Sequence, residues 1–214
     1  MEIGIVGSGD VARSLGAGFV AVGHRVCLGS RSPDSEALRA WKQRVGPPGS
    51  TGSFAEAAEF GDLLVLATHG VHNAEAIDGA GRTRFDGKVL IDTTNPLQFD
   101  AAGTPTLAVS GTDSAGERVQ RLVPAARVVK AFNIVGHAHM FRPRFVGGPP
   151  DMFYCGNDPS AKAEVDDLLH AFGWNPIDIG GIQGARMLES LCQLWLVAAR
   201  ALGSGDVAFR LLRK

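Results

Sequence analysis

The residues best suited to chemistry lie close to the N-terminus. Gly7-Ser8-Gly9-Asp10-Val11-Ala12 follows a short apolar run at 3–6 and opens a segment in which Val11, Leu15 and Phe19 recur at i, i+4, i+8. This order reads as strand, glycine turn, helix. Gly7 permits the tight turn, Gly9 lets a pyrophosphate approach the backbone, and the small Ala12 allows helix and strand to pack closely. Free amide groups and the positive end of the helix dipole then hold the phosphates. The chemistry implied is dinucleotide binding. A second group defines which dinucleotide. The strand at 25–28 runs into Gly29-Ser30-Arg31-Ser32. A site for NAD places a carboxylate about 20 residues beyond the glycines to hold the ribose diol. None is available here, and Asp34 comes too late. Ser30 and Ser32 offer hydroxyl donors, and the Arg31 guanidinium can grip a 2′-phosphate bidentately and stack on adenine. The expected cofactor is NADP(H).

A third set follows the later apolar runs. Thr68-His69-Gly70-Val71-His72 comes after 63–67, Thr93-Thr94-Asn95-Pro96 after 88–92, and Phe132-Asn133-Ile134 after 127–131. Open α/β sheets bind ligands outside the carboxyl ends of their strands. Thr68, His69, His72, Asn95, Pro96 and Asn133 are therefore expected to line the nicotinamide, with His69 and Asn133 as candidates for contact with the reacting groups. His137 and His139 lie two apart without a third ligand nearby, so no metal site is expected.

These residues must be positioned by alternating strands and helices. Further strands are expected at 152–155 and 176–179, and helices at 33–44, after the Asp158-Pro159 cap, and at 183–201. The fold class is α/β: a Rossmann-type doubly wound, mostly parallel sheet with a small C-terminal helical extension. The expected division is a nucleotide-binding domain at 1–178 and an extension at 179–214 that covers the nicotinamide. The last helix is apolar on most faces, through Leu191, Leu194, Trp195 and Val197, which predicts a homodimer contact. With 214 residues, 45% hydrophobic residues and a formal net charge of −1, the chain can bury a sizeable core and has no basic excess for nucleic acid. Cys27, Cys155 and Cys192 lie far apart in apolar stretches, as buried free thiols do. Without a signal segment or a span of ~20 apolar residues, a cytoplasmic protein with no membrane partner is expected.

Taken in order, Gly7 to Ala12, Gly29-Ser30-Arg31, Lys130-Ala131-Phe132-Asn133, Cys155-Gly156-Asn157-Asp158 and the stretch from Gly180 to Glu189 resemble the NADP oxidoreductases that depend on coenzyme F420, a deazaflavin. They are also similar to the cytosolic domain of the STEAP metalloreductases, which pass hydride from NADPH to a flavin. His69-Gly70-Val71-His72 and Lys130 to Asn133 are closer to the metalloreductase pattern. The resemblance implies phosphate binding at Ser8, Ser30 and Arg31, a homodimer, and hydride transfer between NADP(H) and F420 or a flavin (FMN or FAD). Such a reaction needs positioning more than acid–base machinery. The alternatives are a non-catalytic NADPH-binding redox sensor and a reductase of a small carbonyl substrate; the second needs a proton donor, for which Lys130 or His69 would have to serve. The segment 137–146 is expected to roof the acceptor with Met140, Phe141 and Phe145, and to offer Arg142 and Arg144 to an anionic tail.

Overall fold

The computed structural model describes residues 1–212 and 214. Its chain order begins β1 (Glu2–Val6), α1 (Asp10–Ala21), β2 (Arg25–Gly29), α2 (Glu36–Val45), β3 (Gly49–Gly52), α3 (Phe54–Phe60), β4 (Leu63–Leu66), α4 (Asn73–Ala80) and β5 (Val89–Asp92). It continues with β6 (Leu97–Phe99), β7 (Pro105–Leu107), α5 (Ala115–Leu122), β8 (Arg127–Lys130), β9 (Asp151–Gly156), α6 (Pro159–Ala171), β10 (Asn175–Asp178) and α7 (Ala185–Leu202). Eight strands form one sheet in the order β10-β9-β8-β5-β4-β1-β2-β3. Every neighbouring pair is parallel except β8 with β9. β6 and β7 make a separate antiparallel hairpin. This is the doubly wound α/β sheet, with α7 as its C-terminal helix.

Burial explains the double winding. Side chains of a strand alternate between faces, and here both faces are apolar. In β4, Leu63 and Val65 join the core beneath α1, α2 and α6, with Leu15, Phe19, Trp41 and Phe172. Leu64 and Leu66 join the opposite core, with Ala58, Ile77, Phe85 and Val119. Strands buried on both sides need helices on both sides. The β8–β9 contact is short, with Val129 opposite Gly156 and Lys130 opposite Cys155. The rest of β9 pairs with β10 alone, beyond that overlap.

Several elements escape a reading by periodicity. β3 is Gly-Ser-Thr-Gly, without alternation. α3 has only seven residues, but Ser53 and Glu56 cap it reciprocally. α5 is likewise capped, the Ser114 side chain accepting from the Glu117 amide. Both spacings were available in the sequence as helix starts. The helix expected at 33–44 begins later, at Glu36, after a turn around Pro33. The last helix is less exposed than its composition suggests. Leu191 packs against the core, and the Trp195 indole donates to the carbonyl of Val207 at 2.8 Å, so neither contributes to an outward face. Met187, Leu194 and Val197 remain exposed. Two members of the roof expected at 137–146 serve elsewhere. Met140 is buried in the main core, and Phe141 packs edge-on against Phe172 at 5.1 Å, beside Gly18 in the C-terminal half of α1. Arg142 folds back over the Phe141 ring.

All three cysteines are buried. Burial pushes the thiols of Cys155 and Cys192 up to about 12, against the pull of the nearby Lys130 charge. No described helix is long and apolar enough to cross a membrane.

Candidate active site

β1 ends at a turn whose geometry only glycine satisfies. Gly7 has φ 143°, and a Cβ there would lie 2.2 Å from the carbonyl oxygen of Ala67. At Gly9 a Cβ would meet nothing within 4 Å, so the backbone is open to the cleft. Gly9 is also the N-cap of α1, and no side chain among the described residues caps that helix. Its first amides are thus left for a ligand. Ala12 is fully buried beneath the helix. Arg13, which sequence reading passed over, donates to the carbonyl of Ser8 at 2.8 Å and pairs with Asp10 at 2.6 Å, which clamps the turn. On a helix face its spacing cannot be told from that of a solvated arginine.

The cleft above this turn has a volume of about 570 Å³, and its lining gathers Gly7 to Gly9, Ser30 to Ser32, Thr68, His69 and His72. Ser30 is buried; its Oγ accepts from the Ser32 amide at 3.0 Å and lies 3.1 Å from the Ser8 Oγ. With the Ser8 hydroxyl as donor in that pair, the Ser30 proton is uncommitted. Arg31 is exposed on the rim and makes no hydrogen bond or ion pair among the described residues. Donors without acceptors, set around a glycine turn and with no carboxylate at the end of β2, fit a phosphate-bearing dinucleotide. Phe54 also lines the cleft, and its position follows from the unread α3. The rings of His69 and His72 stand 6.0 Å apart, and His72 reaches Glu75 at 3.3 Å.

The remaining candidates divide. Asn95 and Asn133 meet at the ends of β5 and β8. Asn95 Nδ2 donates to the Asn133 carbonyl at 2.8 Å, and Asn133 Nδ2 donates to Asn95 Oδ1 at 2.9 Å and to the Leu188 carbonyl of α7 at 3.0 Å. Asn133 Oδ1 is buried without a partner among the described residues. The residue before it, Phe132, holds φ 62° while fully buried, a conformation that costs a bulky residue of order 1 kcal/mol or more. Pro96 lines a separate, smaller hollow of about 180 Å³ between α4 and α5. Asp10 and Val11 sit on α1 outside the cleft lining. His137 approaches Ser14 at 3.4 Å and His139 pairs with Asp206 at 2.7 Å, so the two histidines do not converge.

Beneath the Asn95–Asn133 pair lies a buried charge cluster that sequence reading did not assemble. Lys130 Nζ donates to Asp92 Oδ2 at 2.8 Å and to the Thr94 carbonyl at 2.7 Å, and lies 3.2 Å from Glu189 Oε1. Burial alone would lower the Lys130 pKa; the carboxylates of Asp92 and Glu189 more than reverse this and hold it above its ordinary value. Glu189 also accepts from the amides of Ala115 and Gly116 at the start of α5. One turn earlier, Arg186 clasps Glu117 bidentately at 2.8 and 2.6 Å. Arg186 and Glu189, both within the C-terminal motif, thus fasten α7 to α5 and β8.

The sheet, the glycine turn and the acid-free end of β2 define a protein of the Rossmann class with a dinucleotide cleft suited to NADP(H). The model of the family described as NADP oxidoreductase, coenzyme F420-dependent, matches residues 2–96. Over the whole chain, and the whole of the other protein, the fold matches the crystal structure of a protein from Arthrobacter sp. FB24 provisionally described as an F420-dependent NADP-reductase, with 36% identity and a TM-score of 0.94. The F420-dependent NADP reductase of Methanocaldococcus jannaschii is 28% identical over 206 residues, 91% of this chain and 90% of that protein. The metalloreductase STEAP3 of Rattus norvegicus is 31% identical over 194 residues, 89% of this chain; the chain spans 36% of its length. The chain belongs to the coenzyme F420-dependent NADP oxidoreductase family.

Proposed function

We infer that this chain transfers hydride between NADP(H) and the deazaflavin F420. The observation that carries the reading is the commitment of Lys130. Its three N–H groups already face Asp92, Thr94 and Glu189, and no part of the residue is exposed. It has no proton to deliver to a carbonyl oxygen, so the rival reduction of a small carbonyl compound is left with His69 alone as its acid. Hydride transfer needs no such group. The cofactor supplies the hydride; the chain must hold donor and acceptor face to face at roughly 3–3.5 Å. Gly7 to Gly9 and the α1 amides hold the pyrophosphate, and Ser30, Arg31 and Ser32 hold the 2′-phosphate. Asn95 and Asn133 stand at the nicotinamide end, where His69 and Thr68 close the side. The likeness to the Arthrobacter protein, which spans both chains completely, favours F420 over FMN or FAD as acceptor. The test is steady-state NADPH oxidation with F420, FMN, FAD and a ferric chelate in parallel. F420 should give the largest kcat/KM. Faster turnover of a small ketone, or no acceptor reduced at all, would overturn the reading, and the second result would favour a redox-sensing role.

The exposed stripe of Met187, Leu194 and Val197 on α7 supports a homodimer in which two copies of this helix meet. Sedimentation at micromolar concentration should give a dimer, and Leu194→Glu a monomer. A wild-type monomer sinks this part of the proposal.

A further inference from the structure

A directed run of hydrogen bonds leads from the buried charges to the cleft. Asp92 takes a hydrogen bond on each carboxylate oxygen, from Lys130 Nζ on Oδ2 and from the Thr94 amide on Oδ1, and so acts as an acceptor. Thr94 Oγ1 lies 2.7 Å from Asp92 Oδ1 and must therefore donate to it. Its proton is committed, so the group that faces Thr94 Oγ1 from the other side must be a donor. That group is Asn73 Nδ2, at 2.7 Å. The amide orientation of Asn73 follows, and its Oδ1 faces Thr68 Oγ1 at 2.9 Å. Thr68 then gives its proton to Asn73. What Thr68, half-buried on the cleft wall, presents to a ligand is lone pairs alone.

From these contacts we propose that Thr68 is an obligate acceptor for a hydroxyl of the nicotinamide-side ribose, and that it holds the phosphates away from its own end of the cleft. This rests on the reading above that NADP(H) occupies the cleft. The sheet order fixes which half of the ligand reaches Thr68. Ser30 and Arg31 follow β2, the pyrophosphate turn follows β1, and Thr68 follows β4, on the other side of β1. With strands about 4.8 Å apart, Thr68 lies roughly 10 Å across the sheet from the 2′-phosphate position. The two hydroxyl side chains therefore have opposite polarity. Ser30 has a proton to give and meets a phosphate; Thr68 has none and needs a donor.

The test is equilibrium binding by titration, with Thr68→Val and Thr68→Ser against three ligands: NADP⁺, its 3-acetylpyridine analogue, which lacks the carboxamide N–H, and adenosine 2′,5′-bisphosphate, which lacks the whole nicotinamide half. Thr68→Val should weaken NADP⁺ and the acetylpyridine analogue alike, by roughly five- to ten-fold, and leave the bisphosphate unchanged. Thr68→Ser should bind all three as wild type does. Equal weakening of the bisphosphate would make the effect structural and overturn the proposal. A loss confined to NADP⁺ would assign the contact to the carboxamide and overturn the ribose assignment. Unchanged binding of all three by Thr68→Val would overturn it outright. Failure of the NADP(H) reading itself looks different: the wild-type protein would bind neither NADP⁺ nor the bisphosphate. Thermal melting of both variants separates lost binding from lost fold.

Discussion

Arg31 and Lys130 each follow or end a strand of the same sheet, and each carries one positive charge, yet they do opposite work. Arg31 stands on the cleft rim with no partner among the described residues. Lys130 is sealed beneath Asn95 and Asn133 with two carboxylates and a carbonyl around it. A cationic side chain marks a ligand site when its donors lack acceptors; when they have them it marks a joint. The Arg31 region is thus a place of uncommitted donors, and the Lys130 region a fastening that lets α7 sit on the sheet.

The widest test of this contrast is Lys130→Met. It leaves Asp92 and Glu189 buried without their cation, and stability should fall by about 3–5 kcal/mol, read from the denaturant midpoint at constant slope. A loss as small as that of an exposed lysine would erase the distinction. Next comes Arg31→Ala. It should cost NADPH about 1.5–3 kcal/mol of binding, leave NADH nearly unaffected and leave the melting temperature unmoved; equal losses for both nucleotides would show that Arg31 does not read the 2′-phosphate. The smallest effect belongs to an intermediate case, Asp113. Burial alone would raise its pKa, but hydrogen bonds from Arg121 and Arg118 bring it down to about 2. A carboxyl whose folded pKa lies below its unfolded value near 3.9 adds stability that is present above about pH 4 and lost as pH falls toward 2. Asp113→Asn should therefore be less stable than wild type near neutrality by at most about 1 kcal/mol, as for other exposed pairs, and the two stability curves should converge near pH 2. Parallel curves down to that pH would remove Asp113 from the account.

Much of this could be read from the sequence because the relevant contacts are local. The glycine turn is six consecutive residues, and Ser30-Arg31-Ser32 is three, so spacing alone carries the chemistry. The strands that position them are continuous apolar runs, as burial on both faces requires. The Lys130 cluster was not legible, since Asp92 and Glu189 come from distant segments and only the β5–β8 pairing and the docking of α7 bring them together. Lys130 read instead as a proton donor candidate. Met140 and Phe141 misled for a related reason: an apolar loop segment looks the same whether it roofs a cleft or fills a core, and Phe172, which claims Phe141, is thirty-one residues away. The Thr68 polarity needs side-chain directions that no one-dimensional pattern carries.

The buried thiols extend this picture into kinetics. Cys155 lies on β9 and Cys192 on α7, both near enough to Lys130 to feel its charge. With pKa values near 12 and at most 5% of either residue exposed, neither should react with an alkylating reagent in the closed molecule. Each can be modified only during an excursion in which its surroundings part. The native protein therefore contains its own clock for local opening: the labelling rate of Cys192 times the lifting of α7, that of Cys155 times the parting of β9 from β8, and Cys27, buried in β2, times the opening of the nucleotide half. A bound dinucleotide that bridges these parts would slow the hands unequally, and the pattern of slowing would map which joints it closes.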